Sequence, residues 1–139
     1  MKHGTVLLAD AHSPMLEGVR SLLEDRFDAV VMVAGESSLL EAVEKLHPEI
    51  AVVDVSFPLS DRESGNVVPM LRKRFPDLRL IALSVHDEAA AADRMLKDGA
   101  AGFVLKRSAV TYLLTAIEAV FEGRTYVSPG VRPSRPTNT

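Results

Sequence analysis

Ile50-Ala51-Val52-Val53-Asp54 decides the fold. Four apolar residues in unbroken succession leave no polar face, so a strand made of them is covered on both sides, as in a parallel sheet. The run stops on a carboxylate. Four further runs lie along the chain, at Thr5–Ala9, Ala29–Ala34, Arg79–Leu83 and Gly102–Leu105. The last is the shortest and carries an aromatic, Phe103.

Amphipathic segments separate the five runs. Met15, Val19, Leu22 and Leu23 recur at helical spacing, with Ser13 placed to cap and Pro14 at the first helical position. Ser38 and Glu41 have capping-box spacing ahead of a second helix that must end near His47-Pro48. A third helix is predicted from Asn66, which puts Pro69 in the first turn, where a missing N–H costs little. Asp87 to Asp98 is rich in alanine and closed by Gly99. Val110, Leu113, Leu114, Ile117, Val120 and Phe121 form the apolar stripe of the last helix, between Ser108 and Gly123. Strict alternation of strand and helix predicts an α/β chain: a doubly wound parallel sheet inside a three-layer α/β/α sandwich.

The 139 residues suffice for one domain with a core. A 47% hydrophobic and 25% charged composition is that of a globular protein, and a formal charge of −3 offers no electrostatic footprint for nucleic acid. Without cysteine there is neither a disulfide framework nor a thiolate metal site. The apolar run from Val6 ends at Asp10, far short of a signal sequence or a membrane span, so a cytoplasmic protein without membrane contact is expected. From Arg124 to Thr139 there are three prolines, three arginines and no acid. That composition reads as a linker, and residues beyond Ser128 are expected to pack little.

In a doubly wound sheet, ligands bind beyond the carboxyl ends of the strands. The residues that end the runs are Asp10, Asp54, Ser84 and Lys106. A single strand-terminal Asp is more often a solvated turn residue than a reactive group. Two carboxylates, a hydroxyl and an ammonium on one rim point instead to phosphoryl transfer onto a carboxylate. Such a nucleophile must be ionised, and a neighbouring cation favours that form. Lys106 can place positive charge on the phosphoryl oxygens, Ser84 can donate a hydrogen bond to one, and Mg²⁺ held by one or two carboxylates normally supplies the rest.

The strings LLADAHSPMLEGVRSLL (7–23), AVVDVSFP (51–58), LSVHDE (83–88) and GAAGFVLKRS (99–108) resemble those of response-regulator receiver domains, especially the NarL/FixJ, or LuxR-type, subgroup. The likeness runs from about Val6 to Ser128. It implies a flavodoxin-like (CheY-like) five-stranded sheet of order 2-1-3-4-5, a receiver over residues 1–128 and a linker or disordered tail over 129–139. It implies Asp54 as phosphoacceptor, served by Lys106 and Ser84, and a metal site of Asp10, Asp54 and the backbone carbonyl of Ser56. Ser84 and Phe103 match the family's switch pair, although Phe103 reads equally well as core. The implied partners are a sensor histidine kinase, a second copy of the chain, and DNA through a C-terminal domain that is absent here. The role is that of a signalling phosphoacceptor rather than an enzyme.

Two departures bear on function. The family's second acid, a direct Mg²⁺ ligand, is replaced by Ala11, so Mg²⁺ binding is expected to be weak. The loop Leu59–Gly65 is about three residues longer than the usual pattern, and its Asp61 and Glu63 are the acids placed to compensate, though both read more simply as solvated loop charges. Ala11 keeps open a second reading, a pseudo-receiver that acts without phosphorylation. His12 and His86 are read as structural or loop residues, and the run Ala89–Ala92 as ordinary helix. An enzyme on the same architecture fits less well. A dehalogenase-like phosphatase wants Asp where Ser56 stands, and Ala9–Ser13 lacks the glycine-rich turn of nucleotide enzymes.

Overall fold

The protein, seen here as a computed structural model, is described over residues 2–11, 17–60 and 66–133. Strands β1 (His3–Ala9), β2 (Phe27–Val33), β3 (Ile50–Asp54), β4 (Arg79–Ser84), β5 (Gly102–Leu105) and β6 (Tyr126–Val127) form one sheet. Helices α1 (Glu17–Glu24), α2 (Glu36–Leu46), α3 (Val67–Arg74), α4 (Ala89–Lys97) and α5 (Ala109–Phe121) connect them. The strand order is β2-β1-β3-β4-β5-β6 and every pairing is parallel. The expected 2-1-3-4-5 order and three-layer sandwich are therefore present, with a two-residue sixth strand added at the β5 edge.

Alternation along the central strands sorts the core into two layers. Leu7, Ala9, Ala51, Val53, Leu80, Ala82, Phe103 and Leu105 pack with Leu39 and Val43 of α2, Val68 and Leu71 of α3, and Ala92 and Met95 of α4. Val6, Leu8, Ile50, Val52, Ile81, Leu83 and Val104 turn the other way, onto Val19 and Leu23 of α1 and Leu113, Ile117 and Val120 of α5. All five residues of β3 are buried, which is why its sequence shows no polar alternation. Among the described residues, no helix is long and apolar enough to cross a membrane.

Two of the expected local signals are present. Asn66 caps α3, its side chain accepting from the Val68 amide at 2.8 Å. Gly99 closes α4 at φ +118, and a Cβ there would stand 2.7 Å from the Arg72 side chain. Arg72 instead donates to the Gly99 carbonyl at 2.8 and 3.2 Å, tying α3 to the start of β5. The Ser38 cap is a correction: α2 starts earlier, after Gly35, whose carbonyl takes the Leu39 amide at 2.9 Å. Glu36 then faces the loop after β3 and accepts from the amide and the hydroxyl of Ser60, each at 2.9 Å. The proposed cap Ser13 and the residues Pro14 and Met15 lie outside the described residues.

The tail departs from its expected looseness as far as it is described. Ser128 is buried, and its hydroxyl accepts from the Leu105 amide at 3.0 Å. Val131 packs against the α2–α4 side of the core, and Arg132 bonds to the loop after β4. A growing edge explains this: β5 leaves its outer backbone groups open, and residues 126–128 satisfy them.

Candidate functional site

Register brings the site together. Ala9 pairs with Val53, Asp54 with Leu83, and Ser84 with Leu105, so four strands end within a residue of one another. Asp10, Asp54, Ser84 and Lys106 stand at that edge, and all four are buried. The Lys106 Nζ lies 2.8 Å from Asp10 Oδ2 and 2.9 Å from Asp54 Oδ2. The other Asp54 oxygen, Oδ1, accepts from both the amide and the hydroxyl of Ser56 at 2.9 Å.

Burial pushes the Asp54 carboxyl up. The hydrogen bonds from Lys106 and Ser56 outweigh it and leave the group below the usual carboxylate range, and so ionised at neutral pH. Burial works against the charge on Lys106 too, but its bonds to Asp10 and Asp54 hold it above the usual lysine value. Two carboxylates against one ammonium leave a net negative charge, which suits a further cation. The Asp10 and Asp54 carboxylates are hard oxygen donors of the kind Mg²⁺ prefers, and they are the groups that could hold it. Ala11 is exposed beside Asp10 and offers no side-chain oxygen. Among the described residues, no three His, Cys, Asp or Glu side chains cluster to hold a metal. With two side-chain carboxylates from the described residues, a Mg²⁺ bound here would have to draw its remaining ligands from elsewhere.

The remaining residues fall in two classes. Ser84 ends β4, and its hydroxyl is engaged by its own loop, accepting from the His86 amide at 2.9 Å and donating to the His86 carbonyl at 3.2 Å. Phe103 is wholly buried on the α2–α4 side of the sheet. His86 is exposed, and His12, Asp61 and Glu63 lie outside the described residues. The hydroxyl of Ser56 is a contact that sequence reasoning missed, having assigned that residue through its carbonyl alone. The signal was present: an Asp side chain readily accepts from the backbone two residues on, and a serine there adds a second donor.

The response regulator receiver domain family matches residues 6–118. The chain belongs to that family. It is similar to the transcriptional regulatory protein DegU of Brevibacillus brevis, 30% identical over 129 residues that cover 91% of the chain and 53% of DegU. It is similar also to MctR of Rhizobium johnstonii, 34% identical over 91% of the chain and 59% of MctR. The receiver thus spans little more than half the length of these curated relatives, which are transcriptional regulators. Among solved structures, the non-phosphorylated receiver domain of the stress response regulator RcsB from Escherichia coli superposes with a TM-score of 0.80 at 26% identity, covering 91% of this chain and 99% of that one. An RcsB receiver from Salmonella enterica has been solved with the phosphomimetic BeF3⁻ (TM-score 0.80, 26% identity, 94% and 96% covered).

Proposed function

We propose that this receiver takes a phosphoryl group from the phosphohistidine of a sensor histidine kinase onto Asp54 and thereby switches an output. The observation that carries the reading is the Asp54 carboxylate at the end of a buried strand, kept ionised by an ammonium 2.9 Å away with Asp10 alongside. In the transfer, the histidine N–P bond breaks as a bond forms between phosphorus and one Asp54 oxygen, and the histidine nitrogen keeps the electron pair. Lys106 is already in place to balance charge on the phosphoryl oxygens. Ser84 can turn its hydroxyl from the His86 carbonyl to a phosphoryl oxygen, and Phe103 is the family's position for relaying that change. Asp10, Asp54 and the Ser56 carbonyl would hold Mg²⁺, which neutralises phosphoryl charge when bound. The group resides on the protein as a signal, so this is a phosphoacceptor rather than an enzyme. We further propose a cytoplasmic setting and a homodimer. Residues 1–128 would be the receiver and 129–139 its linker, with a transcriptional output through a C-terminal DNA-binding domain beyond this chain.

The test is intact-mass measurement after acetyl phosphate treatment with and without Mg²⁺. A phosphate adduct is expected on wild type with Mg²⁺, and none on Asp54→Asn. An adduct that persists in Asp54→Asn rejects the assignment. No adduct at any Mg²⁺ concentration selects the second reading, a phosphorylation-independent interaction module. The feature that favours that reading is Ala11, together with a lysine that already neutralises much of the acid pair without metal.

Ala11→Asp separates the two readings further. The substitution puts a third carboxylate on the rim and should tighten Mg²⁺ binding by roughly tenfold, about 1.4 kcal/mol. That is well inside the ~4 kcal/mol attraction of unit charges 4 Å apart near a protein surface. Calorimetric titration of the two proteins measures it. An unchanged affinity would mean that another group already fills the position, with Asp61 and Glu63 the groups to substitute next.

A further inference from the structure

The chain leaves α5 at Gly123 and runs along the outer edge of β5. The Tyr126 amide donates to the Ala101 carbonyl at 3.0 Å and the Ser128 amide to the Phe103 carbonyl at 2.9 Å. The chain then turns through Pro129-Gly130, with Gly130 at φ +95 and close against the Leu105 side chain. The last described residues cross the loop that follows β4. There the Arg132 amide donates to the Asp87 carbonyl at 2.6 Å, and the Ala89 amide donates to the Arg132 carbonyl at 2.7 Å. The Arg132 guanidinium lies 2.9 Å from Asp87 Oδ1, while Arg107 approaches Oδ2 at 3.4 Å. Asp87 is held below the usual carboxylate range, mainly by its bond from Arg132.

The loop that receives Arg132 is the loop folded by Ser84. Its hydroxyl accepts from the His86 amide and donates to the His86 carbonyl, one residue before Asp87. A serine hydroxyl has one proton to donate. It cannot serve both the His86 carbonyl and a phosphoryl oxygen on Asp54. We propose that residues 129–132 are a strap, closed over the loop after β4 while Ser84 bonds to His86 and released when Ser84 turns to a phosphoryl group. The device rests on the phosphoacceptor reading of Asp54. It converts a change at the rim into freedom of whatever follows Pro133. Coupling of this kind is reciprocal: a strap weakened by substitution favours the phosphorylated form.

Hydrogen–deuterium exchange on the full chain, with intact mass recording the adduct, tests it. Treatment with BeF3⁻ and Mg²⁺, or with acetyl phosphate, should speed exchange of the Ala89 and Arg132 amides on the order of tenfold. The Tyr126 and Ser128 amides, paired to β5 ahead of the turn, should keep their rates. Arg132→Ala should raise exchange at Ala89 without any treatment, and should tighten BeF3⁻ binding in the presence of Mg²⁺ roughly fivefold, at the low end of coupling between linked sites. An adduct on Asp54 with unchanged exchange at 89 and 132 overturns the strap and leaves the phosphoacceptor reading intact. If no adduct forms, the phosphoacceptor reading fails, and Ser84→Ala tests the coupling alone. Faster exchange at His86, Ala89 and Arg132 in that variant supports the link from Ser84 to the strap, and unchanged rates at 89 and 132 overturn it.

Discussion

Lys106→Met lowers the stability of the metal-free protein by about 3 kcal/mol at neutral pH. Methionine nearly preserves the length of the side chain, so the substitution removes charge more than volume. What remains is two buried carboxylates that shared one ammonium at 2.8 and 2.9 Å and now face each other. Removing one member of a buried charged group costs more than the group itself contributes, because the partners stay desolvated and uncompensated. The double variant Lys106→Met, Asp54→Asn should recover at least half of the loss, since it removes the charge of one of the two acids. Urea unfolding followed by circular dichroism, in EDTA, measures all three proteins. A Lys106→Met protein as stable as wild type would mean that the acids gain nothing from the lysine. The pH dependence follows the same contacts. The folded state depresses the pKa of Asp54, so its contribution is complete above the unfolded value near 4 and fades as pH falls through the lowered folded value. Lys106 is shifted upward, so its contribution is complete at neutral pH and is lost only as pH rises through a value above the usual lysine range. Acid sensitivity of wild type should therefore shrink in Asp54→Asn.

Phe103→Ala should cost about 3–5 kcal/mol, a large part of the 5–15 kcal/mol by which a domain this size is stable. The ring is wholly buried in the layer shared by the sheet and α2–α4. Its neighbours along the chain are Gly102, which has no side chain to fill a void, and Val104, which points into the opposite layer. Local collapse is therefore poor and the cavity term stays large. The same unfolding experiment decides it. A loss under about 1 kcal/mol would mean that the ring is not needed as core, and the switch reading of Phe103 would then stand alone.

Most of the fold was legible in the residues because local signals and global demand agree there. β3 has no polar alternation because both its faces are covered, and β5 was legible from Gly102 to Leu105 despite its length. Asn66 acts through a side chain that reaches an amide two residues on, and Gly99 through its own backbone geometry, so both signals are local to the chain. The start of α2 was not legible, because Ser38 and Glu41 match a capping pattern that Gly35 pre-empts one turn earlier. The tail misled in the same way. Proline and arginine content says that residues 124–133 cannot fold alone, yet an open β5 edge and a buried contact to Leu105 are waiting for them.

The site divides along the same line. By itself the sequence determined which groups end the strands: Asp10, Asp54, Ser84 and Lys106 each directly follow or close a run of apolar residues, and strand periodicity does not depend on distant partners. It determined too that Ala11 brings no third acid to that edge. Only the tertiary structure decided how those groups are paired. One lysine holds an oxygen of each acid, Ser56 holds the other oxygen of Asp54, the Ser84 hydroxyl is turned onto His86, and Arg132 reaches Asp87 from 45 residues away. A side chain with several partners in reach chooses among them by distances of a few tenths of an ångström. Those distances are set by strand register and the path of the backbone, which no local stretch of sequence specifies.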